Sequence, residues 1–426
     1  MDDVAFTWTG PENPYSIHSN ASARFLAYLP HSGFHNQRIE VENAIVLSIL
    51  LNRTLVLPLA RLGENPLPYK PFDELFEKYG LSDKSWLSHC YTEDTAANST
   101  VKECRKFERY THLSWQDLVD VSHLTSLGVT FVERWNFRRT WFRDTLQLNP
   151  SDIYWLKDSS AYEVQFCDIA KGETQKGKYE RRISLSELDD DTSMYRLLHL
   201  GTLFGSSRLR LSIPEHQSIR LRVRDAMSLA NPYLNRLADK VVTVLGGPDT
   251  YFSVHIRAGD GLFAENAVQN SLAVWSTLLH SIIGLSEDSI AELHSAVTFI
   301  PQLPSARTPS VVPLQSPRFE LCTRNRNSSA LSTPLFIATD ARNPHTHPAL
   351  QIFLATFPCI FFISDFPWAA REMAHVVNPL DNSPMDRFFI PFLDALVTSR
   401  GAAVTGTPES TFSRYIEEVL WPQYHK

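Results

Sequence analysis

The stretch "HSGFHNQRIEVENAIVLSILLNRTLVLP", residues 31–58, decides the fold class. It follows "RFLAYL" (24–29), an apolar run of strand length, and opens with a Gly-containing polar turn, "HSGFHNQ". The next segment, "RIEVENAIVLSIL", keeps Val41, Ala44, Ile45 and Ser48 on one stripe at helical spacing and leaves Glu40 and Glu42 off it. Asn52-Arg53 interrupts that pattern, and "TLVLP" reads as a second strand closed by Pro58. Strand, crossover helix, strand is the unit of a parallel sheet.

The same alternation returns in the second half. "YFSVHI" (251–256) runs into "RAGD", "PLFIAT" (334–339) into Asp340, and "CIFFIS" (359–364) into Asp365. A helix "MDRFFIPFLDALVTS", a strand "AAVTGT" and a final helix "STFSRYIEEVLW" follow. Between the halves, "RLRLSIPEHQSIRLRVRDAMSLA" (208–230) reads as a surface helix starting at Ser212-Ile213-Pro214, and "LGGPDT" (245–250) punctuates the chain. The reading is α/β, with two doubly wound Rossmann-like domains at 20–245 and 246–426. A Pro/Ser/Arg-rich insertion without periodicity occupies 301–334, and "ELDDDTS" (187–193) reads as a solvated loop.

At 426 residues, 43% of them hydrophobic, the chain can bury more than one core. A formal net charge of -7 supplies no basic excess to follow a phosphate backbone, which argues against nucleic acid as a partner. No apolar run approaches the roughly 18 residues that span a bilayer, and the N-terminal residues have no signal-peptide pattern. Four N-glycosylation sequons nonetheless stand at Asn20, Asn52, Asn98 and Asn327. The five cysteines show no zinc-ligand spacing, so no metal site is expected from them. Cys90 and Cys104 are either a disulfide closing a polar loop or two free thiols, and Cys359 reads as a small buried apolar residue.

Ligands of doubly wound sheets bind beyond the carboxyl ends of the strands. "HSGFHN", "HIRAGD", "ATDARN" and "TGTPESTFS" all begin where a strand has just ended. In this order they resemble the GDP-fucose protein O-fucosyltransferase family, which carries a G-x-G-N-Q-like loop, L-N-R-T-L-x-x-P, H-x-R-x-G-D, a strand ending Thr-Asp, and a Ser/Thr-Phe helix start. The matches here are "GFHNQ", "LLNRTLVLP", "HIRAGD", "ATD" and "STFS". The resemblance implies a GT-B fold, a GDP-fucose donor in a cleft between the two domains, and inverting, metal-independent transfer to a protein or glycan hydroxyl. It also implies a secretory lumen, with a cytoplasmic location as the alternative.

Under that resemblance, Gly33, Phe34 and Asn36 reach the sugar and β-phosphate, and His255, Asp340, Ser410, Thr411 and Phe412 surround the nucleotide. Arg257 offers a planar fork to the departing diphosphate. His35, and after it His31, stands where an acceptor proton could be taken, since histidine titrates near working pH. Each residue also has a plain structural role open to it. Arg257 and Asp260 could be an exposed pair, His255 a core histidine, Ser410 and Asn36 helix caps, and Asp340 a helix cap. Two other functions compete: a metal-dependent GT-A enzyme using "DDD" (189–191), and a catalytically inactive GT-B-like binding protein.

Overall fold

The computed structural model describes residues 5–6, 8, 22–64, 66–84, 90, 104, 107–135, 137–169, 177–298, 322 and 330–425. The expected insertion at 301–334 therefore lies largely outside the described residues, as do the sequons at Asn20, Asn98 and Asn327. The chain divides into two compact units: residues 7–231 with 377–384, and residues 1–6, 232–376 and 385–426.

The first unit carries strands β1 (Phe25–Ala27), β2 (Thr54–Pro58), β3 (Ala60–Gly63), β4 (Tyr110–Leu113), β5 (Phe131–Arg134), β6 (Ile153–Leu156), β7 (Val164–Cys167), β8 (Arg181–Ser184), β9 (Leu197–Leu200) and β10 (Leu209–Arg210). Its main sheet is parallel throughout, in the order β5-β2-β1-β9-β6. Phe25 pairs in register with both Thr54 and Leu197. Strand β1 is buried on both faces, which is why its residues are continuously apolar rather than alternating. Phe25, Val56, Val132, Trp141, Phe142 and Leu197 build the core on one face. Full burial of each such side chain is worth about 1.5–3 kcal/mol.

The crossover helix α1 (Phe34–Leu50) begins at Phe34, four residues before Arg38, where the helical segment was expected to start. Its N-cap is Gly33, and no side chain caps it, so Asn36 is not a cap but lies inside the first turn. The helix is also more buried than its stripe implies, with Glu40 at 0% and Glu42 at 5% exposure. Both carboxylates find partners: Arg38 one turn before Glu42, and the His31 backbone N–H for Glu40. Burying a carboxylate without such partners would cost several kcal/mol.

Three further expectations are corrected. Residues 187–191 belong to helix α2 (Leu185–Asp191), whose N-cap Ser184 accepts from the Glu187 N–H, so "DDD" is helical and Asp189 pairs with Arg24. Helix α3 (Pro214–Ala226) starts at Pro214 as expected, but α4 (Pro232–Val244) packs with the second unit, so that unit begins before residue 246. Cys359 is joined to Cys322 by a disulfide, and Cys90 to Cys104, leaving Cys167 as the free thiol.

The second unit holds β11 (Phe252–Ile256), β12 (Leu335–Thr339), β13 (Ile360–Phe361) and β14 (Ala403–Gly406), again all parallel, in the order β13-β12-β11-β14. Strand β13 is only two residues long, because "CIFFIS" turns at Ile363–Asp365 into a 3-10 segment. Val254, Ile256, Leu335, Ile337, Trp275 and Phe353 form its core. Helix α5 (Asp386–Thr398) packs against α4. Helix α6 (Thr411–Tyr415) runs on through a π turn, Ile416–Leu420, into Trp421–Tyr424.

Candidate functional site

In the second unit, the carboxyl ends of β11, β12 and β14 bring six of the singled-out residues together. The Arg257 backbone N–H donates to the Thr407 hydroxyl at 2.9 Å, which ties the end of β11 to the turn after β14. The Arg257 side chain is one-third exposed and forked between two carboxylates. Its Nη2 donates to both Asp260 oxygens at 2.9 Å, and its Nη1 meets Asp340 Oδ2 at 2.8 Å. Asp340 is thus no helix cap: its other oxygen accepts from the Ala258 N–H at 2.7 Å. Gly259 makes this approach possible, since a Cβ there would stand 2.6 Å from Asp340 Oδ2.

His255 lies one turn of strand deeper and is 3% exposed. Its Nδ1 shares a 2.7 Å hydrogen bond with Ser413 Oγ, and the Phe412 ring lies 4.4 Å away, tilted by 33°. Burial, and then the positive charge of Arg257, lower its pKa to about 3, so the ring is neutral at working pH. Ser410 is the N-cap of α6, its hydroxyl accepting from the Ser413 N–H, and Thr411 opens the helix. A Cβ at Gly406 would stand 2.6 Å from Ser413 Oγ, so the sheet edge and the helix start are packed backbone to side chain. The result is a guanidinium, a neutral imidazole, an aromatic face and a helix start gathered at one sheet edge. Such a set can bind an anionic, ring-bearing ligand.

In the first unit, Gly33, Phe34, His35 and Asn36 occupy the N-terminus of α1, beyond the carboxyl end of β1. Gly33 has an ordinary φ of -73°; Ser32 takes the left-handed conformation at φ 65°. Open space surrounds the position a Gly33 Cβ would take, so among the described residues no neighbour accounts for a glycine there. Phe34 stacks on Trp115 at 5.2 Å and meets His35 edge-on at 5.1 Å. His31 points the other way. It is 3% exposed, with Nδ1 on Ser32 Oγ and Nε2 on Thr202 Oγ1, both at 2.7 Å. Burial first, then Arg208, lower its pKa to about 4, which removes it as a titrating group near neutrality.

Arg53, from the "LNRT" stretch, sits at the opposite end of the sheet. It is buried, and donates to the carbonyls of Phe25, Tyr195 and Thr192 and to the Thr192 hydroxyl. Its work is to satisfy backbone groups at the amino ends of the strands. Glu133, near the carboxyl end of β5, was not singled out from the sequence. It accepts from the Ser114 hydroxyl at 2.5 Å, and burial raises its pKa to about 7 despite that bond. Only the position of "VTFVERWNF" at a strand end could have pointed to it.

Among the described residues, no group of three or more His, Cys, Asp or Glu side chains is arranged to hold a metal ion, and no helix is long and apolar enough to cross a membrane.

No family model matches the chain. Over 109 residues it is 54% identical to O-fucosyltransferase 30 of Arabidopsis thaliana, an alignment covering 24% of this chain and 18% of that protein. The chain therefore spans less than a fifth of that relative's length, and the resemblance read from the four clusters is borne out by it. Among solved structures, POFUT1 in complex with GDP-fucose aligns over 93% of this chain and 94% of its own, at 10% identity and a TM-score of 0.40. POFUT1 in complex with GDP aligns over the same shares, at 11% identity and a TM-score of 0.39.

Proposed function

We propose that this chain is a glycosyltransferase of the O-fucosyltransferase kind, moving fucose from GDP-fucose to a hydroxyl of a protein or glycan acceptor. The reaction is an inverting displacement with no metal. The observation that carries this reading is the forked guanidinium of Arg257 at the carboxyl edge of a parallel sheet, beside the neutral His255, Phe412 and the start of α6. The 54% identical stretch shared with O-fucosyltransferase 30 supports the sugar and the transfer.

The chemistry needs one thing above all. Leaving-group charge grows on the diphosphate as the sugar departs, and a fixed donor aimed at that charge lowers the barrier. Arg257 is that donor. To meet phosphate oxygens it exchanges the exposed Asp260 for the ligand while Asp340 keeps hold of Nη1. Phe412, on the tilted face of His255, receives the guanine, and Ser410 and Thr411 meet the diphosphate through hydroxyl and backbone donors. In the first unit, the open space at Gly33 leaves the start of α1, with Phe34 and Asn36, accessible to a ligand.

Two disulfides and an exposed sequon at Asn52 fit an oxidising, secretory lumen. The test of the function is transfer itself: purified protein incubated with GDP-fucose, with release of GDP measured against GDP-mannose and UDP-galactose. Release from GDP-fucose alone is the expected result, and none from any donor would refute it.

A further inference from the structure

The carboxyl edge of the second unit's sheet carries a polar pair that has no part in donor binding. Strand β13 runs into the 3-10 turn Ile363–Asp365, and Asp365 caps that turn, one carboxylate oxygen accepting from the Phe362 backbone N–H at 2.9 Å. The other oxygen lies 2.7 Å from His345 Nε2. A carboxylate only accepts, so Nε2 carries the hydrogen and Nδ1 presents its lone pair. His345 stands on the loop that leaves β12, within the 3-10 turn Pro344–Thr346. Its ring meets the buried Phe362 ring edge-on at 4.8 Å, and its side chain is 38% exposed against 14% for Asp365. A largely covered carboxylate thus orients an open imidazole.

The pair stands a useful distance from Arg257. Strands β11, β12 and β13 are neighbours, so the backbone beyond β13 lies two strand spacings from that beyond β11, about 10 Å. Arg257 follows β11, Asp340 just past β12 grips it, and the His345 loop continues from Asp340. A guanidinium about 3 Å from a leaving oxygen, an attacking oxygen about 3 Å from the reacting carbon and a base about 3 Å from that oxygen together span roughly the same 10 Å. Resting on the functional reading above, we infer that His345, oriented by Asp365, is the base that takes the proton from the attacking hydroxyl.

The step balances as follows. The acceptor oxygen forms a bond to the sugar's C1 as its proton passes to His345 Nδ1. The bond from C1 to the β-phosphate oxygen breaks, and its electron pair leaves with GDP. The imidazolium is paired with Asp365 and then loses its proton to solvent, which the exposure of its side chain allows. His255 and His31 are poor bases by comparison, since burial lowers them to about 3 and about 4. At His345 the Asp365 hydrogen bond outweighs burial and raises the pKa above the ordinary 6.5. Among the described residues, Asp365 is the charged group facing it. Arg342 and His347 flank it on its own loop, and the two elements packed on its turn, Pro348–Leu350 and Gln351–Thr356, bear no titratable side chain.

The experiment lets water stand in for the acceptor hydroxyl. GDP-fucose hydrolysis is followed from about pH 5 to about pH 9 for the wild type, His345→Gln and Asp365→Asn, with GDP affinity measured calorimetrically on each. The wild-type rate is expected to rise about tenfold per pH unit and to level off above the ordinary histidine value of 6.5. His345→Gln should lose roughly 10²-fold and the pH dependence with it, GDP affinity being unchanged. Asp365→Asn should keep part of the rate and level off at lower pH, because the anion that favours the protonated ring is gone. A profile unchanged by His345→Gln overturns the inference. So does a His345→Gln variant that loses GDP affinity in step with rate, which would assign the pair to nucleotide binding, and so does GDP binding without hydrolysis at any pH. If His345→Gln does not fold, the Asp365→Asn profile decides, an unshifted plateau overturning the inference. Absence of GDP binding by the wild type is a different failure: it removes the donor-site reading itself.

Discussion

Replacing Arg257 with lysine keeps the charge and removes the fork. In the protein, Nη2 serves both oxygens of Asp260 and Nη1 serves Asp340, three contacts at 2.8–2.9 Å from one planar group. A lysine ammonium is a compact, strongly hydrated donor and cannot span two carboxylates in that plane. In Arg257→Lys, whichever aspartate loses its partner is left facing the incoming diphosphate. Charge-assisted hydrogen bonds are worth about 1.5–3 kcal/mol each, less at a position that is one-third exposed. Losing one to phosphate is therefore expected to weaken GDP binding at least about tenfold, the equivalent of about 1.4 kcal/mol. Turnover should fall further, by about 10²–10³, because the missing donor matters most where charge has built up. Calorimetric titration with GDP, alongside hydrolysis of GDP-fucose, reads both quantities. Equal affinity and equal rate in wild type and variant would refute the argument and return Arg257 to the role of a strand-end ion pair.

Arg53→Met is expected to cost about 2–4 kcal/mol in chemical denaturation, because it strips buried carbonyls of their donor, while leaving the GDP affinity of the folded fraction unchanged; a change in affinity would mean that Arg53 serves the site. Reducing Cys322–Cys359, whose cysteines are 37 residues apart, should lower stability by about 4 kcal/mol in the chain-entropy model, against about 3 kcal/mol for Cys90–Cys104 with a separation of 14. Denaturation of the Cys322→Ser and Cys90→Ser variants checks the order. Glu133 also carries a stability signature. Its folded pKa of about 7 stands above the usual value of 4.5, so its contribution is present below about pH 4.5 and is lost as pH rises through 7. Glu133→Gln should thus match wild type in stability near pH 4 and exceed it near pH 8, by at most about 3–4 kcal/mol; equal stability at both pH values would contradict the burial argument.

What the sequence made legible is what local patterns encode. The two-faced apolar runs in β1 and β2 with a helical stripe between them identified a parallel sheet, and polar clusters after each strand marked the carboxyl edge, where His255, Arg257 and Asp340 do meet. The remainder depends on partners distant along the chain. Glu40 is buried because Thr202, 162 residues away, donates to it, and the helical stripe contains nothing of that. Arg53 reads as part of a family motif and becomes structural only through Thr192, 139 residues on. Cys359 looked apolar because its partner, Cys322, lies inside the segment without periodicity. Glu133 was passed over since its strand shows only apolar period, and its meaning comes from Ser114 and Trp115 on another element. The loop from Phe34 to Asn36 became helix because Gly33, not a polar side chain, starts it.

The most direct test of the central claim is calorimetric titration of the wild-type protein with GDP, once in excess EDTA and once with manganese. The account predicts saturable one-to-one binding of the same affinity in both, because Arg257 and the start of α6 supply the positive charge the diphosphate needs. Binding that appears only with manganese, or no binding in either, would contradict it.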